Sequence, residues 1–269
     1  MQTIAATATV VPPFVLPRED VKQAVARIFE LSPRRLDALM AIYDHARVDQ
    51  RYSVFPLEHL IRPRSLTEKI QEYRRHAVSL GSRAARDCLD RGGLRPADVD
   101  LLISVSCTGY MVPSLDAYLV QELGFRSNVR RLPITELGCV GGAVALSRAT
   151  EFVSAFPDSH ALVVAVELSS LTFQPDDMSD ANLVSCAFFG DGAAAALVTG
   201  GEMPGARVLD TESCLLPGLP RCDGVRPRAT IIFVLDAWLR GRRPAVVESG
   251  IAVGFGPGVS AELLLLQWA

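Results

Sequence analysis

The sequence has no excess of positive charge. It carries 27 Lys and Arg against 30 Asp and Glu, which gives a formal net charge of −3. A dedicated nucleic-acid-binding protein would be strongly basic, so this class of function is disfavoured. Local basic pairs such as Arg74-Arg75 and Arg130-Arg131 are more typical of solvated surfaces than of phosphate sites.

The sequence also lacks long apolar runs and paired cysteines. No run reaches the roughly 20 apolar residues that a membrane span requires. The first apolar stretch has no charged segment before it and is interrupted by Pro12-Pro13, so we expect no secretory signal. The six cysteines show neither CxxC pairs nor metal-ligand spacing: Cys88, Cys107, Cys139, Cys186, Cys214 and Cys222. We therefore predict reduced thiols, no metal site and a cytoplasmic location.

The N-terminal region begins with a predicted strand and continues with helices. Residues 4–15 are rich in small and β-branched residues, which favours a strand. Apolar positions between residues 18 and 45 recur at helical spacing, with a break at Ser32-Pro33. A further helix is predicted from Ser65 to Asp90, because Ser65 and Glu68 fit a capping box and Gly92-Gly93 ends the stretch.

From residue 98 onwards, apolar strands alternate with helices. Strands are predicted at 98–106, 129–135, 161–167 and 193–198, and helices are predicted from about Ser114 and over 143–156. Strands that are apolar throughout are typical of a sheet that is buried on both faces. The sequence therefore predicts an α/β fold.

Residues 201–228 show no clear periodic pattern, and regularity returns at Thr230–Leu239, Ile251–Phe255 and Leu263–Trp268. A structureless stretch of this length is unusual in a compact α/β protein. We interpret the chain as three parts: residues 1–200, an irregular junction at 201–228, and residues 229–269.

The clearest candidate for chemistry is Cys139, within the sequence ELGCVGGA at 136–143. A cysteine between glycines and ahead of a helix lies where backbone N–H groups and the helix dipole stabilise a thiolate. The thiolate is the form that attacks thioesters, and the same backbone can supply oxyanion donors. The pattern alone also fits a small buried cysteine at a tight turn.

Seven segments share the order and approximate spacing of one known family. They are Arg51-Tyr52, VSCTGYMVPSLDAYLV (105–120), ELGCVGGA, ELSSLTF (167–173), FFGDGAAAALV (188–198), FVLDAWL (233–239) and GFGPGVSAELLLLQW (254–268). With this series, the chain resembles the chalcone/stilbene synthase family, the type III polyketide synthases. ELGC and SVSCTGY are closer to bacterial members, which often extend a long-chain fatty acyl-CoA with malonyl-CoA to alkylpyrones or alkylresorcinols.

The resemblance implies a thiolase-like αβαβα layered fold, here with a complete N-terminal half and a C-terminal half reduced by an internal deletion. It implies a homodimer, with acyl-CoA and malonyl-CoA as substrates and no further cofactor. Cys139 would accept the starter acyl group, and Phe189 would separate the acyl tunnel from the chamber. Four positions would line that chamber: Ser169, Thr172, Cys107 and Thr108.

The family's cysteine works with a histidine before a Pro-Gly-Gly segment and with an asparagine in a later turn. The four histidines of this chain are His45, His59, His76 and His160, and its last asparagine is Asn182. None of them matches those motifs. The resemblance therefore predicts an excision between about residues 214 and 228 and the loss of a large catalytic factor in condensation.

Two alternatives remain open at this stage. One is another thiolase-fold condensing enzyme, similar to ketoacyl-acyl carrier protein synthase III, although GFGPG and ELSSLTF favour the polyketide synthases. The other is a non-catalytic homologue that pairs with a full-length synthase through residues 110–120.

Overall fold

A computed structural model describes residues 2–201, 203–215, 249–256 and 260–268. The described strands are β1 (Gln2–Val10), β2 (Phe14–Pro17), β3 (Gln50–Ser53), β4 (Leu101–Val105), β5 (Arg130–Ile134), β6 (His160–Leu168), β7 (Asp191–Thr199), β8 (Ala206–Leu215), β9 (Ser249–Gly256) and β10 (Ser260–Trp268). The described helices are α1 (Arg18–Ile28), α2 (Pro33–His45), α3 (Leu57–Leu60), α4 (Leu66–Gly92), α5 (Leu115–Leu123), α6 (Gly141–Ala155) and α7 (Asp180–Phe188).

The helix limits follow the local signals in the sequence. The Ser65 hydroxyl accepts a hydrogen bond from the Glu68 backbone N–H, and the Glu68 carboxylate accepts one from the Ser65 N–H at 2.8 Å. Gly93, with a φ of 67°, ends α4 in the left-handed conformation. Both predictions are confirmed, and so is the break between α1 and α2 at Ser32-Pro33.

Two predictions at strand level were wrong. The single strand expected over residues 4–15 is two strands, because Pro12-Pro13 offers no backbone N–H to a ladder. Ala206–Leu215, expected to be irregular, is strand β8, which pairs with β1 and β10. The predictions for residues 216–228 and for Thr230–Leu239 lie outside the described residues, whereas those for 251–255 and 263–268 are confirmed by β9 and β10.

The central sheet has eight described strands in the order β5-β4-β6-β7-β1-β8-β10-β9. Strand β4 runs parallel to β5 and β6, and the other neighbours in this sheet are antiparallel. Helix α4 packs on one face through Leu80, Ala84 and Cys88, while α6 packs on the other through Ala145 and Leu146. The prediction of a sheet covered on both faces is therefore confirmed for these strands.

The topology brings several loops to one edge of the sheet. Because β4, β5 and β6 are parallel, the segments that follow them begin at the same edge. Strand β7 is antiparallel to β6 and pairs Asp191 with Leu168, so it starts at this edge too. Ligands of α/β sheets bind at the carboxyl ends of parallel strands. Among the described helices, none is long and apolar enough to cross a membrane.

Candidate active site

Cys139 lies in a single 3₁₀ turn, Gly138–Val140, that leads directly into α6. Gly138 has a φ of 60°, a conformation that suits glycine far better than other residues. A Cβ on Gly141 would lie 2.9 Å from the Val105 side chain, so this glycine lets α6 approach β4 closely. The two glycines together present a half-buried cysteine at the start of a helix.

The electrostatics of this position favour negative charge on the Cys139 sulfur. The first N–H groups of a helix have no acceptor within the helix, and they carry the positive end of the dipole. Helix α6 is 15 residues long and has no acidic residue in its first turn, which leaves this positive end uncompensated by a side chain of that turn. The arrangement can stabilise a thiolate and the oxyanion that forms when it attacks a thioester.

The turn after β4 carries the predicted residues Cys107 and Thr108. The Cys107 backbone N–H donates to both oxygens of the Glu167 carboxylate, at 3.1 and 3.3 Å. The buried Thr108 hydroxyl accepts a hydrogen bond from the Leu168 N–H at 2.8 Å. These bonds fix the turn to the end of β6, so Thr108 has a structural role here. Glu167 is the first residue of the ELSSLTF segment, but no local pattern predicts its bond to Cys107.

Tyr73 of α4 contacts the same turn through its hydroxyl and its ring. Its hydroxyl donates to the Ser106 hydroxyl at 2.6 Å, and burial raises the pKa of the Tyr73 phenol. A Cβ on Gly109 would lie 2.2 Å from the Tyr73 ring, so the chain passes directly against the ring face. The turn is therefore held by a buried ring on one side and by a carboxylate on the other.

A cavity of about 1050 Å³ opens beside these turns. Five of the six predicted site residues line it: Cys107, Thr108, Ser169, Thr172 and Phe189. At the nucleophile turn the lining residue is Gly138, the immediate neighbour of Cys139. The sheet edge thus brings the predicted residues together around one space, with Cys139 at its border.

None of the four histidines of the chain lines this cavity. His160 begins β6 and therefore lies at the opposite end of that strand from Ser169. Asn182 does line the cavity, but its side-chain amide donates to the Gln174 and Asp177 carbonyls at 2.8 Å each. His160 therefore lies away from the cavity, and both N–H groups of the Asn182 amide are taken up by backbone carbonyls.

Asp191 lies next to the lining residue Gly190 and supports the cavity wall from behind it, a role that no sequence pattern predicts. Its buried carboxylate accepts hydrogen bonds from the Val54 N–H and the Ser170 N–H, both at 2.8 Å, and from the Ser170 hydroxyl at 2.5 Å. Burial nevertheless raises the pKa of this carboxyl to about 6. Asp191 therefore ties together three segments that reach the cavity wall through Ser53, Ser170 and Gly190.

Strand β9 reaches the nucleophile turn from the C-terminal part of the chain. A Cβ on Gly254 would lie 2.8 Å from the Ala143 Cβ, 3.5 Å from the Val140 Cα and 3.8 Å from the Cys139 carbonyl oxygen. Gly254, in the GFGPG segment, thus packs directly against the cysteine turn, while Pro257 and Gly258 lie outside the described residues.

Gly254→Ala is therefore expected to destabilise the chain by about 1–3 kcal/mol, the usual cost of overpacking, and to slow acylation of Cys139. Gly250→Ala, on the same strand, is the matched control, because a Cβ there has only an ordinary contact, at 3.7 Å from Trp268. Urea unfolding and acylation rates measure both effects. Equal behaviour of the two variants would contradict the packing role of Gly254.

The cysteine turn at the carboxyl edge of a mixed sheet, with helices on both faces, is the arrangement of a thiolase-like fold. The chalcone and stilbene synthase N-terminal domain model matches residues 1–202. The chain belongs to the chalcone and stilbene synthase family, and the type III polyketide synthases are its homologues.

Individual relatives agree with this placement. The chain is 36% identical over 217 residues to a 1,3,6,8-tetrahydroxynaphthalene synthase of Streptomyces coelicolor, covering 81% of this chain and 58% of that protein. It is 31% identical over 202 residues to the alpha-pyrone synthesis polyketide synthase-like Pks18 of Mycobacterium tuberculosis, covering 72% and 51%. The chain thus spans little more than half the length of these curated relatives.

A solved structure extends the likeness to the whole described fold. The crystal structure of 1,3,6,8-tetrahydroxynaphthalene synthase from Streptomyces coelicolor A3(2), described as a bacterial type III polyketide synthase, superposes with a TM-score of 0.89. The two sequences are 26% identical in this alignment, which covers 99% of each chain. The predicted thiolase-like fold is therefore confirmed.

Proposed function

We propose that the chain transfers an acyl group from a coenzyme A thioester to Cys139. The observation that carries this proposal is the placement of Cys139 at the start of α6, on the border of a cavity lined by the other predicted residues. The Cys139 thiolate attacks the thioester carbonyl and forms a new carbon–sulfur bond. The bond to the coenzyme A sulfur breaks, and the departing thiolate takes up the proton that Cys139 lost.

The proposed starter is a long-chain fatty acyl group. The cavity volume of about 1050 Å³ is at the upper end of the roughly 300–1,000 Å³ typical of small-molecule pockets. Apolar side chains of α1 and α3, including Val21, Val25, Ile28 and Leu60, contribute to the lining. Phe189 and Thr172 border the same space and would set the length of chain that it accepts.

The second proposed step is condensation with malonyl-CoA, which must be repeated and followed by cyclisation to give an alkylpyrone or alkylresorcinol. Loss of CO₂ from malonyl-CoA leaves a carbanion that attacks the Cys139 thioester, forming a carbon–carbon bond and releasing the sulfur. We expect this step to be slow, because no histidine lines the described part of the cavity, and the Asn182 amide already donates to two backbone carbonyls.

The proposed internal deletion has support from two alignments. Sequence similarity covers 58% of the Streptomyces coelicolor relative, whereas the structural alignment spans 99% of both chains. A gap inside the chain would produce this combination. Strand β9, which follows the proposed deletion in the chain, packs on the cysteine turn.

Labelled long-chain acyl-CoA followed by malonyl-CoA separates the candidate functions. We expect a stable acyl-enzyme and little or no pyrone, both measured by mass spectrometry. Rapid pyrone formation would show that condensation does not need the family's histidine and asparagine. A protein that is never acylated, yet folds and superposes on the family, would contradict the proposed acyl transfer.

A second candidate is an interaction partner, in which the chain pairs with a full-length synthase or with itself. Tyr110 and Val112 favour it, since these apolar side chains are 71% and 75% exposed beside α5. Co-purification with a full-length homologue, lost on Val112→Asp, supports this candidate. Lys69→Asp is the control, because Lys69 lies in α4, outside the segment 110–120.

A further inference from the structure

Arg51 is a buried cation in the wall of the cavity. It lies in β3, opposite Leu16 of β2, and only 5% of it is exposed. Its Nη2 donates to the Ala187 carbonyl in the last turn of α7, and its guanidinium lies over the Tyr43 ring, 5.4 Å from the ring centre. These contacts hold the guanidinium in place but use only part of its hydrogen-bonding capacity.

Two of the three guanidinium nitrogens of Arg51 lack a partner among the described residues. Its Nε and Nη1 are buried and make no hydrogen bond there, and the buried Tyr43 hydroxyl makes none either. No carboxylate in the described part of the chain forms an ion pair with Arg51. Burial lowers the pKa of the guanidinium, yet arginine keeps its charge in proteins. A buried cation without a counter-charge is costly to fold.

The surroundings of Arg51 are apolar. Tyr43 and Ala187, which it contacts, belong to one cluster of buried side chains. The cluster consists of Leu16, Val21, Val25, Phe29, Leu39, Tyr43, Leu183 and Ala187. Leu16, Val21 and Val25 line the same cavity as Arg51 and Phe189. Among the described residues that line the cavity, Arg51 is the only lysine or arginine. Glu136 and Asp177 also line it, but neither forms an ion pair with Arg51.

We propose that Arg51 is the anion-binding group of a carboxylate subsite in this cavity, and that the ligand is a carboxylate carried on an apolar chain. The Nε–H and the Nη1–H groups can each donate a charge-assisted hydrogen bond to a carboxylate oxygen. The apolar cluster around Arg51 would contact the hydrocarbon chain of the ligand. This inference refines the ligand class of the proposed function, but it requires binding only and no reaction at Cys139.

The test compares three probes by calorimetry or thermal shift: decanoate, methyl decanoate and malonate. We expect decanoate to bind at least about tenfold more tightly than its uncharged methyl ester, the size expected for a charge-assisted hydrogen bond. Malonate, which lacks the apolar chain, should bind at least about tenfold more weakly than decanoate. A ratio near one in either comparison would overturn the proposal.

Variants assign the selectivity to Arg51. Arg51→Gln should bring the ratio between decanoate and methyl decanoate close to one, whereas Arg51→Lys should retain part of it. Arg126→Gln is the matched control, because Arg126 likewise donates to a backbone carbonyl, that of Val99, but does not line the cavity. Unchanged selectivity in Arg51→Gln would refute the assignment, and the wild-type ratio decides alone if that variant does not fold.

The outcome is distinguishable from failure of the proposed function. Selective binding of decanoate without acylation by acyl-CoA would support the carboxylate subsite and contradict the proposed acyl transfer. Acylation at Cys139 without a preference for decanoate would support the acyl transfer and contradict the subsite.

Discussion

Cys139→Ala is expected to eliminate the acyl-enzyme and to reduce any acyl transfer by a factor on the order of 10⁴ or more, as removal of a covalent nucleophile does in other enzymes. The physical reason is that the Cys139 sulfur forms the bond that holds the acyl group. Stability should change little, because Cys139 is only half-buried and alanine suits the start of a helix. Mass spectrometry after incubation with acyl-CoA measures the first effect, and urea unfolding measures the second.

Cys107→Ala is the matched control for this variant. Cys107 is also half-buried and lines the same cavity, but it follows β4 and is held through its backbone by Glu167. We expect Cys107→Ala to leave the acyl-enzyme in place, with at most a change in the preferred chain length. An acyl group that persists in Cys139→Ala and disappears in Cys107→Ala would reverse the two roles.

Asp191→Asn should remove a pH dependence of stability. The pKa of Asp191 is raised by burial to about 6 in the folded chain, above the roughly 3.9 of an unfolded aspartate. A raised folded pKa means that protonation favours folding, so this contribution is fully present below the unfolded pKa and is lost as the pH rises through about 6. Between about pH 4 and pH 7 the loss is about 2 kcal/mol.

The measurable quantity is the difference in the free energy of unfolding between wild type and Asp191→Asn. Since asparagine does not titrate, this difference should fall by about 2 kcal/mol from pH 4 to pH 7. Asp210→Asn, at an exposed position of β8, is the control for removal of a carboxylate. A difference that is constant over this range, or that grows with pH, would contradict the raised pKa of Asp191.

The sequence predicted those elements whose signals are local. The capping box at Ser65, the glycine stop at Gly93 and the proline at Pro33 depend on neighbouring residues only, and the structure places each as expected. Strand β8 was missed because its polar residues, such as Asp210 and Glu212, hide the apolar pattern. Its strand conformation depends on pairing with β1 and β10, which are distant in the chain.

The candidate site could be predicted in part for a related reason. Cys107, Cys139 and Ser169 each follow a strand, so the parallel arrangement of β4, β5 and β6 places them at one edge. The supporting groups could not be predicted in this way. Asp191 and Arg51 act on segments more than a hundred residues away, through bonds to Val54 and Ala187 respectively. No pattern along the chain records such contacts.

The central claim is that Cys139 is the acyl acceptor of this chain, and intact-protein mass spectrometry with a long-chain acyl-CoA tests it most directly. The predicted result is one acyl group per chain, which peptide mapping places on Cys139 and which is absent from Cys139→Ala. A protein that remains unmodified, or an acyl group that maps to Cys107 or Cys186, would contradict it.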